Sequence, residues 1–218
     1  MGAYAAVRGV FDRDYYFDGQ GEYFRDRSGT NSTVSGSVIH GAAYNAGNYN
    51  PSGYAGSFDN YFKYSYGAVN RCNYVIDNVE KMKQTLPNDS TALNAVIAEA
   101  RLLRGMVYFR LISMWGDVPY IDHIVEDNSE VSDLTRMPIK QIKDSIYNDF
   151  TYAYQYLPVT PPAVGRAAQP AALAFRGKLE LFWACWNHFG WPELDTFTPS
   201  ASEADAAYKA AAADFLQV

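Results

Sequence analysis

The segment Ala98-Glu99-Ala100-Arg101-Leu102-Leu103-Arg104-Gly105-Met106-Val107-Tyr108-Phe109-Arg110-Leu111-Ile112-Ser113-Met114-Trp115-Gly116-Asp117-Val118-Pro119-Tyr120 constrains the fold most. Apolar residues recur along it at three- and four-residue steps, which is the period of a helix with one buried stripe. That stripe is Leu93, Val96, Ala100, Leu103, Val107, Leu111 and Met114, so a helix is expected from about Ser90 to Met114. Gly116 and Pro119 stop it, glycine by accepting the left-handed cap and proline by refusing to continue the helix. Nothing in the segment resembles a catalytic constellation.

The same period recurs on both sides. A short helical pattern occupies residues 1–17 (Ala3, Ala6, Val7, Val10, Phe11). A second helix starts near Ser57 or Phe58 and carries Phe58, Tyr61, Phe62, Val69, Cys72, Ile76 and Val79 until Leu86-Pro87. After an acidic linker over 117–136, a fourth begins at Pro138, a residue suited to a first helical turn. Its stripe is Ile139, Ile142, Ile146, Phe150 and Ala153, up to Leu157-Pro158. A fifth runs from about Pro170 to Trp186. A sixth starts near Ser202, with Asp205 three residues on in a capping-box arrangement, and continues through Ala206, Ala207, Ala210, Ala211 and Phe215. Strand signals are few: Val118 and Tyr120-Ile121 are short. The expected fold class is mainly α.

Leu103-Arg104-Gly105-Met106-Val107 and Phe175-Arg176-Gly177-Lys178-Leu179 align at an offset of 72 residues. That is close to two units of a helix–turn–helix repeat of roughly 34 residues. Ala100, Gly105, Ala172 and Gly177 would let paired helices approach closely. The strict tetratricopeptide consensus is absent, so the expectation is tetratricopeptide-like αα-hairpins.

Residues 18–56 break the helical pattern. They are rich in Gly, Asn, Ser and Tyr, as in Tyr44-Asn45-Ala46-Gly47-Asn48-Tyr49-Asn50-Pro51, which marks loop. A connection this long is usually functional or disordered, and its aromatic residues favour order. Rings stack on the CH faces of sugars, while amides and guanidinium groups bond sugar hydroxyls. The loop offers Tyr23, Tyr44, Tyr49 and Tyr54 as platforms, with Arg25, Arg27, Asn45, Asn48 and Asn50 as polar partners. From composition alone, a surface loop stitched together by its own turn chemistry is the commoner reading.

Bulk chemistry narrows the function. Of 218 residues 48% are hydrophobic and 19% charged, which suits a packed core. The 18 tyrosines need hydroxyl partners or water, so many should lie at surfaces. A net charge of −6 argues against nucleic acid, whose phosphates require a basic face. No run of about 18 apolar residues is long enough to span a bilayer. Cys72 and Cys185 read as small buried hydrophobes, not as a disulfide. The histidines His40, His123 and His188 lack metal-ligand spacing. Asp122, Glu126, Asp127 and Glu130 read as a solvated acidic face in the absence of the regular calcium-loop pattern. Trp183, Trp186, Phe189 and Trp191 form an aromatic cluster that fits core packing better than a ligand box. No phosphate loop, nucleophile elbow or zinc signature occurs, and no cofactor or metal is expected.

Four segments in order carry a resemblance to a known family. They are Tyr66-Gly67-Ala68-Val69-Asn70-Arg71-Cys72-Asn73-Tyr74-Val75-Ile76; Ala98–Tyr120; Tyr147-Asn148-Asp149-Phe150 with Leu157-Pro158; and Gly165-Arg166-Ala167 with the helix from Ala172 to Phe182. Together they resemble the SusD-like (SusD/RagB) nutrient-binding proteins of bacterial outer membranes. The resemblance implies one domain over 1–218, the N-terminal portion of a longer SusD-like protein, with a long loop at 18–56 and helical repeats over 57–218. It implies a surface lipoprotein whose lipid anchor lies outside this chain, capping a SusC-like TonB-dependent transporter. It implies capture of an oligosaccharide without catalysis, at a site placed by position near Arg25, Arg27, Tyr44, Asn45, Asn48, Tyr49 and Tyr54. Two alternatives stay open: peptide binding, as in the RagB branch, or a protein-interaction scaffold without a small ligand. A glycosidase reading would need a pair of carboxylates that nothing in the spacing singles out.

Overall fold

The structure is a computed structural model, and it describes residues 2–12, 56–191 and 194–218. Helices dominate: α1 (Gly2–Phe11), α2 (Gly56–Thr85), α3 (Ser90–Trp115), α4 (Ile139–Tyr156), α5 (Gln169–Phe189) and α6 (Ala201–Phe215). The described residues contain no strand, only an isolated antiparallel bridge between Val118 and Met137. None of the described helices is long and apolar enough to cross a membrane. The chain divides into two compact units, Met1–Gly67 and Ala68–Val218.

In the first unit, α1 buries Ala3, Val7 and Val10, the i, i+4, i+7 stripe of an amphipathic helix. On α2, Tyr61 is fully buried. Ser65 turns its hydroxyl back to the Tyr61 carbonyl at 2.8 Å, so a small polar side chain is buried with its donor satisfied.

The second unit is a row of packed helices. Ile76 and Val79 of α2 meet Ile97 and Ala100 of α3, with Val75, Leu93 and Tyr152 around them. α3 packs against α4, α4 against α5, and α5 against α6. Because α3 has neighbours on two sides, it buries far more than one stripe. Ile97, Ala98, Leu102, Tyr108, Phe109 and Ile112 are buried alongside the expected Ala100, Leu103, Val107 and Leu111. Val96, expected inside, is exposed. The stripe read for α4, in contrast, is buried at every position: Ile139, Ile142, Ile146, Phe150 and Ala153.

Two helix starts differ from expectation. Pro138 caps α4 from outside the helix, and the orphan N–H of Ile139 donates 2.7 Å to Asp117 Oδ1, twenty-two residues upstream. Asp117 also accepts from the Thr196 hydroxyl, tying the turn after α3 to the connection before α6. The cap of α6 is Ser200, not Ser202; its hydroxyl accepts from the N–H of Glu203. That leaves the Glu203 carboxylate free for partners on other helices.

Candidate functional site

The seven residues expected to face a ligand, Arg25, Arg27, Tyr44, Asn45, Asn48, Tyr49 and Tyr54, lie outside the described residues, as does the whole of 13–55. His40 lies there too. The described chemistry is that of the scaffold that follows this stretch.

Its centre is Arg104, buried on α3 with 5% of its surface exposed. Nε and Nη2 donate to the two carboxylate oxygens of Asp149 on α4, both at 2.8 Å. Nη1 donates to Asn73 Oδ1 of α2 at 2.9 Å. A planar fork matched to a carboxylate is the geometry in which a buried ion pair recovers its desolvation cost. Burial works to lower the guanidinium pKa, and the charge and hydrogen bonds of Asp149 more than reverse it, so the net shift is upward. Arg101 adds a longer ion pair to Asp149 at 3.9 Å and lies over the Tyr152 ring at 4.3 Å.

The second copy of the Leu-Arg-Gly pattern does the same work one hairpin later. Arg176 on α5 donates to both oxygens of Asp214 on α6, at 2.7 and 2.6 Å. Its Nη1 reaches back to Thr151 Oγ1 of α4 at 3.2 Å, as Arg104 reaches back to α2. The adjoining glycines are equivalent too. A Cβ added at Gly105 would stand 2.7 Å from Cε1 of Phe150, and one at Gly177 would stand 2.9 Å from Cε1 of Phe215. Each hairpin is therefore closed by the same device: Arg-Gly on its first helix against Asp-Phe on its second.

α2 supplies the partner for the extended segment after α3. Asn73 Nδ2 donates to the carbonyls of Ile121 and His123. Asn70 both donates to the Val125 carbonyl and accepts from its N–H, each at 2.9 Å. Asp77 accepts from Ile124 N–H at 3.1 Å. Tyr108 of α3 completes the clamp, its hydroxyl accepting from Ile121 N–H at 2.7 Å and donating to the Ile121 carbonyl. Side chains at i, i+3 and i+7 of a helix thus take the place of a paired strand, and the backbone groups of a non-helical segment are satisfied. The acidic stretch read from sequence is pinned from Ile121 to Val125. Beyond it, Asp127 and Glu130 form a capping box on a short 3-10 turn, and backbone and side-chain bonds from Ser129 lower the Asp127 pKa.

Other carboxylates are also engaged, Glu99 and Glu180 buried and Glu203 partly exposed. Glu99 takes a four-contact fork from Arg166 at 2.7–3.1 Å. Glu180 pairs with Lys143 at 2.8 Å. Glu203 accepts from Lys140 and from the Trp183 indole, and the Lys140 bond in first place holds its pKa below the ordinary glutamate value. No group of three His, Cys, Asp or Glu side chains able to hold a metal occurs among the described residues.

The aromatic cluster at the end of α5 resolves into two parts. Trp183 is buried and meets the Phe197 ring edge-on at 5.3 Å. Trp186 and Trp191 stack at 3.9 Å and 18°; Phe182 meets both edge-on, and Phe189 is exposed. Both cysteines are free: Cys72 is buried as expected, while Cys185 is only half-buried, near the Tyr208 hydroxyl at 3.8 Å.

A SusD-like family model, described as starch-binding and associating with the outer membrane, matches residues 15–181. The chain belongs to the SusD-like family. It is 29% identical over 117 residues to SusD-like protein P2 of Formosa agariphila, covering 54% of this chain and 22% of that protein. It is 34% identical over 128 residues to a SusD-like protein of Bacteroides ovatus, covering 57% of this chain and 22% of that one. A structure solved with a xylogluco-oligosaccharide superposes with a TM-score of 0.59 at 24% identity, covering 99% of this chain and 40% of that chain. This chain spans less than half the length of each of these relatives. The SusD-like helical fold is the one built here by the paired Arg-Gly and Asp-Phe locks.

Proposed function

We propose that this SusD-like chain captures oligosaccharides at the bacterial surface and passes them to a TonB-dependent outer-membrane transporter. The observation that carries this reading is the family match across 15–181, which takes in the stretch from Gly19 to Ser57 as well as the helices. Two further facts support it: the relative solved with a xylogluco-oligosaccharide shares the fold over almost the whole chain, and the family description names starch and the outer membrane.

In this reading Tyr44, Tyr49 and Tyr54 stack on sugar faces, and Arg25, Arg27, Asn45 and Asn48 bond sugar hydroxyls. Ring stacking buries CH surface while leaving hydroxyls free for polar partners. Binding is therefore wet and modest in strength, which suits a ligand that has to be released again. No bond is made or broken, and the protein is not an enzyme. A lipid anchor N-terminal to this chain holds the protein to the membrane, and the chain is the N-terminal portion of one helical domain.

The test is an affinity-gel and calorimetric screen of the full-length protein against xylogluco-, malto- and laminari-oligosaccharides, with peptides alongside. Saturable binding of one glycan class is the expected result. Binding of peptides alone, or release of shortened sugars during incubation, would replace this reading with a peptide-capture or a hydrolase one.

A further inference from the structure

α2 is one continuous helix of 30 residues, Gly56–Thr85, yet the boundary between the two compact units falls inside it, at Gly67. Glycine is the weakest helix former after proline, because it gives up the most backbone freedom on folding. A glycine inside a helix therefore asks for a physical reason.

The reasons visible at the other glycines are missing at this one. Gly105 and Gly177 make room for a phenylalanine ring, whereas a Cβ at Gly67 would meet nothing within 4 Å. Gly116, Gly165 and Gly190 hold a positive φ, and Gly67 does not. Gly67 lies on the exposed face of α2, so no side chain of its own shields the helix backbone there from water.

The turns on either side differ in how firmly they are held. Just before Gly67, the Ser65 hydroxyl donates to the Tyr61 carbonyl at 2.8 Å. A back-bond of this kind competes with the helical ladder and bends helices, and closely spaced serine and glycine are a recognised cause of kinks. Just after it, Asn70, Asn73 and Asp77 bond the segment Ile121–Val125, and Asn73 also accepts from Arg104. A weak turn beside a pinned one confines bending to Tyr66-Gly67-Ala68. The stretch expected to hold sugar, Gly19 to Ser57, belongs to the unit on the N-terminal side of that point.

We propose that Gly67 is a hinge in α2, and that the helix angle there changes when the stretch from Gly19 to Ser57 takes up an oligosaccharide. The second half of the proposal rests on the capture reading above. The test uses the full-length protein carrying Cys185→Ser, with the buried Cys72 left in place. Nitroxide labels are attached at Arg8→Cys on α1 and Asn148→Cys on α4, both exposed positions. Pulsed electron paramagnetic resonance reads the distances between them, with and without whichever xylogluco-, malto- or laminari-oligosaccharide binds in the screen above. The expected result is two distance populations in the free protein and a changed ratio between them on saturation. Gly67→Ala, which should fold because its Cβ meets open space, is expected to reduce the minor population about fivefold, the helix preference of alanine over glycine. A single narrow distance in the free protein overturns the hinge, as do identical populations with and without Gly67→Ala. An unchanged ratio in protein that calorimetry shows to be saturated overturns its link to capture. If no oligosaccharide binds, the capture reading fails, and comparison of the two free proteins still decides the hinge.

Discussion

Alanine at Gly105 and at Gly177 should have opposite effects, although the two glycines occupy equivalent places. Each added Cβ meets a phenylalanine ring, at 2.7 Å from Phe150 and 2.9 Å from Phe215, where something has to move. Phe150 is fully buried and packed against Phe175 at 5.9 Å between centroids, so its ring has no free direction. Overpacking of that kind costs about 1–3 kcal/mol. Alanine in a helix interior returns about 0.8–1 kcal/mol relative to glycine. With the ring held on all sides the cost falls in the upper part of that range, about 2–3 kcal/mol, so the net loss for Gly105→Ala is about 1–2 kcal/mol, or a Tm lower by roughly 2–8 °C for a chain of this size. Phe215 is 44% exposed and stands at the end of α6. Its ring can swing into water, so Gly177→Ala should lie between neutral and about 1 kcal/mol stabilising. Urea titrations followed by circular dichroism give both values. Adding Phe150→Leu to Gly105→Ala should recover about 1 kcal/mol relative to the sum of the single changes. The reasoning is refuted if Gly105→Ala matches the wild type, or if the two alanine variants lose equal stability.

Asp149→Asn leaves the buried Arg104 guanidinium uncompensated and should cost about 3–5 kcal/mol; Asp214→Asn should cost less, because the Arg176 side chain is twice as exposed as that of Arg104. Comparing the two urea midpoints checks the order. Burial pushes the Cys72 thiol up to about 12, so at pH 8 a thiol reagent should modify Cys185 alone until the chain is unfolded; rapid modification of both in the native state would show that α2 is not packed as described. The Glu203 pKa is lowered in the fold, so its contribution is present above the ordinary glutamate range and fades as pH falls below about 4.3. Stability measured against pH should therefore show a smaller acid-side loss for Glu203→Gln than for the wild type, with the two curves converging at low pH; parallel curves would remove the Lys140–Glu203–Trp183 contact from the account.

Local rules made most helices legible. α4 faces one core, so its period alone marks Ile139, Ile142, Ile146, Phe150 and Ala153. α3 lies between two neighbours, and a one-stripe reading misses nine of the thirteen residues it buries and wrongly includes Val96. The offset repeat of Arg104-Gly105 and Arg176-Gly177 was visible, but not its meaning. The partners Asp149-Phe150 and Asp214-Phe215 stand 45 and 38 residues downstream of the arginines, and no local pattern links residues so far apart. The same holds for Asp117, whose cap on α4 reaches across twenty-two residues. Asn70, Asn73 and Asp77 look like the polar flank of a helix until the segment Ile121–Val125 is laid against them. The expected ligand residues rest on composition and family position alone, and all seven lie outside the described residues.

The central claim is that the stretch from Gly19 to Ser57 holds a sugar. Titration of the full-length protein and its Tyr44→Ala/Tyr49→Ala variant with the best-bound oligosaccharide, by calorimetry, tests it directly. The account predicts that the variant, with an unchanged melting curve, loses about tenfold or more in affinity, since each stacked ring contributes on the order of 1 kcal/mol. Unchanged affinity in the double variant would contradict it and move the site elsewhere on the protein.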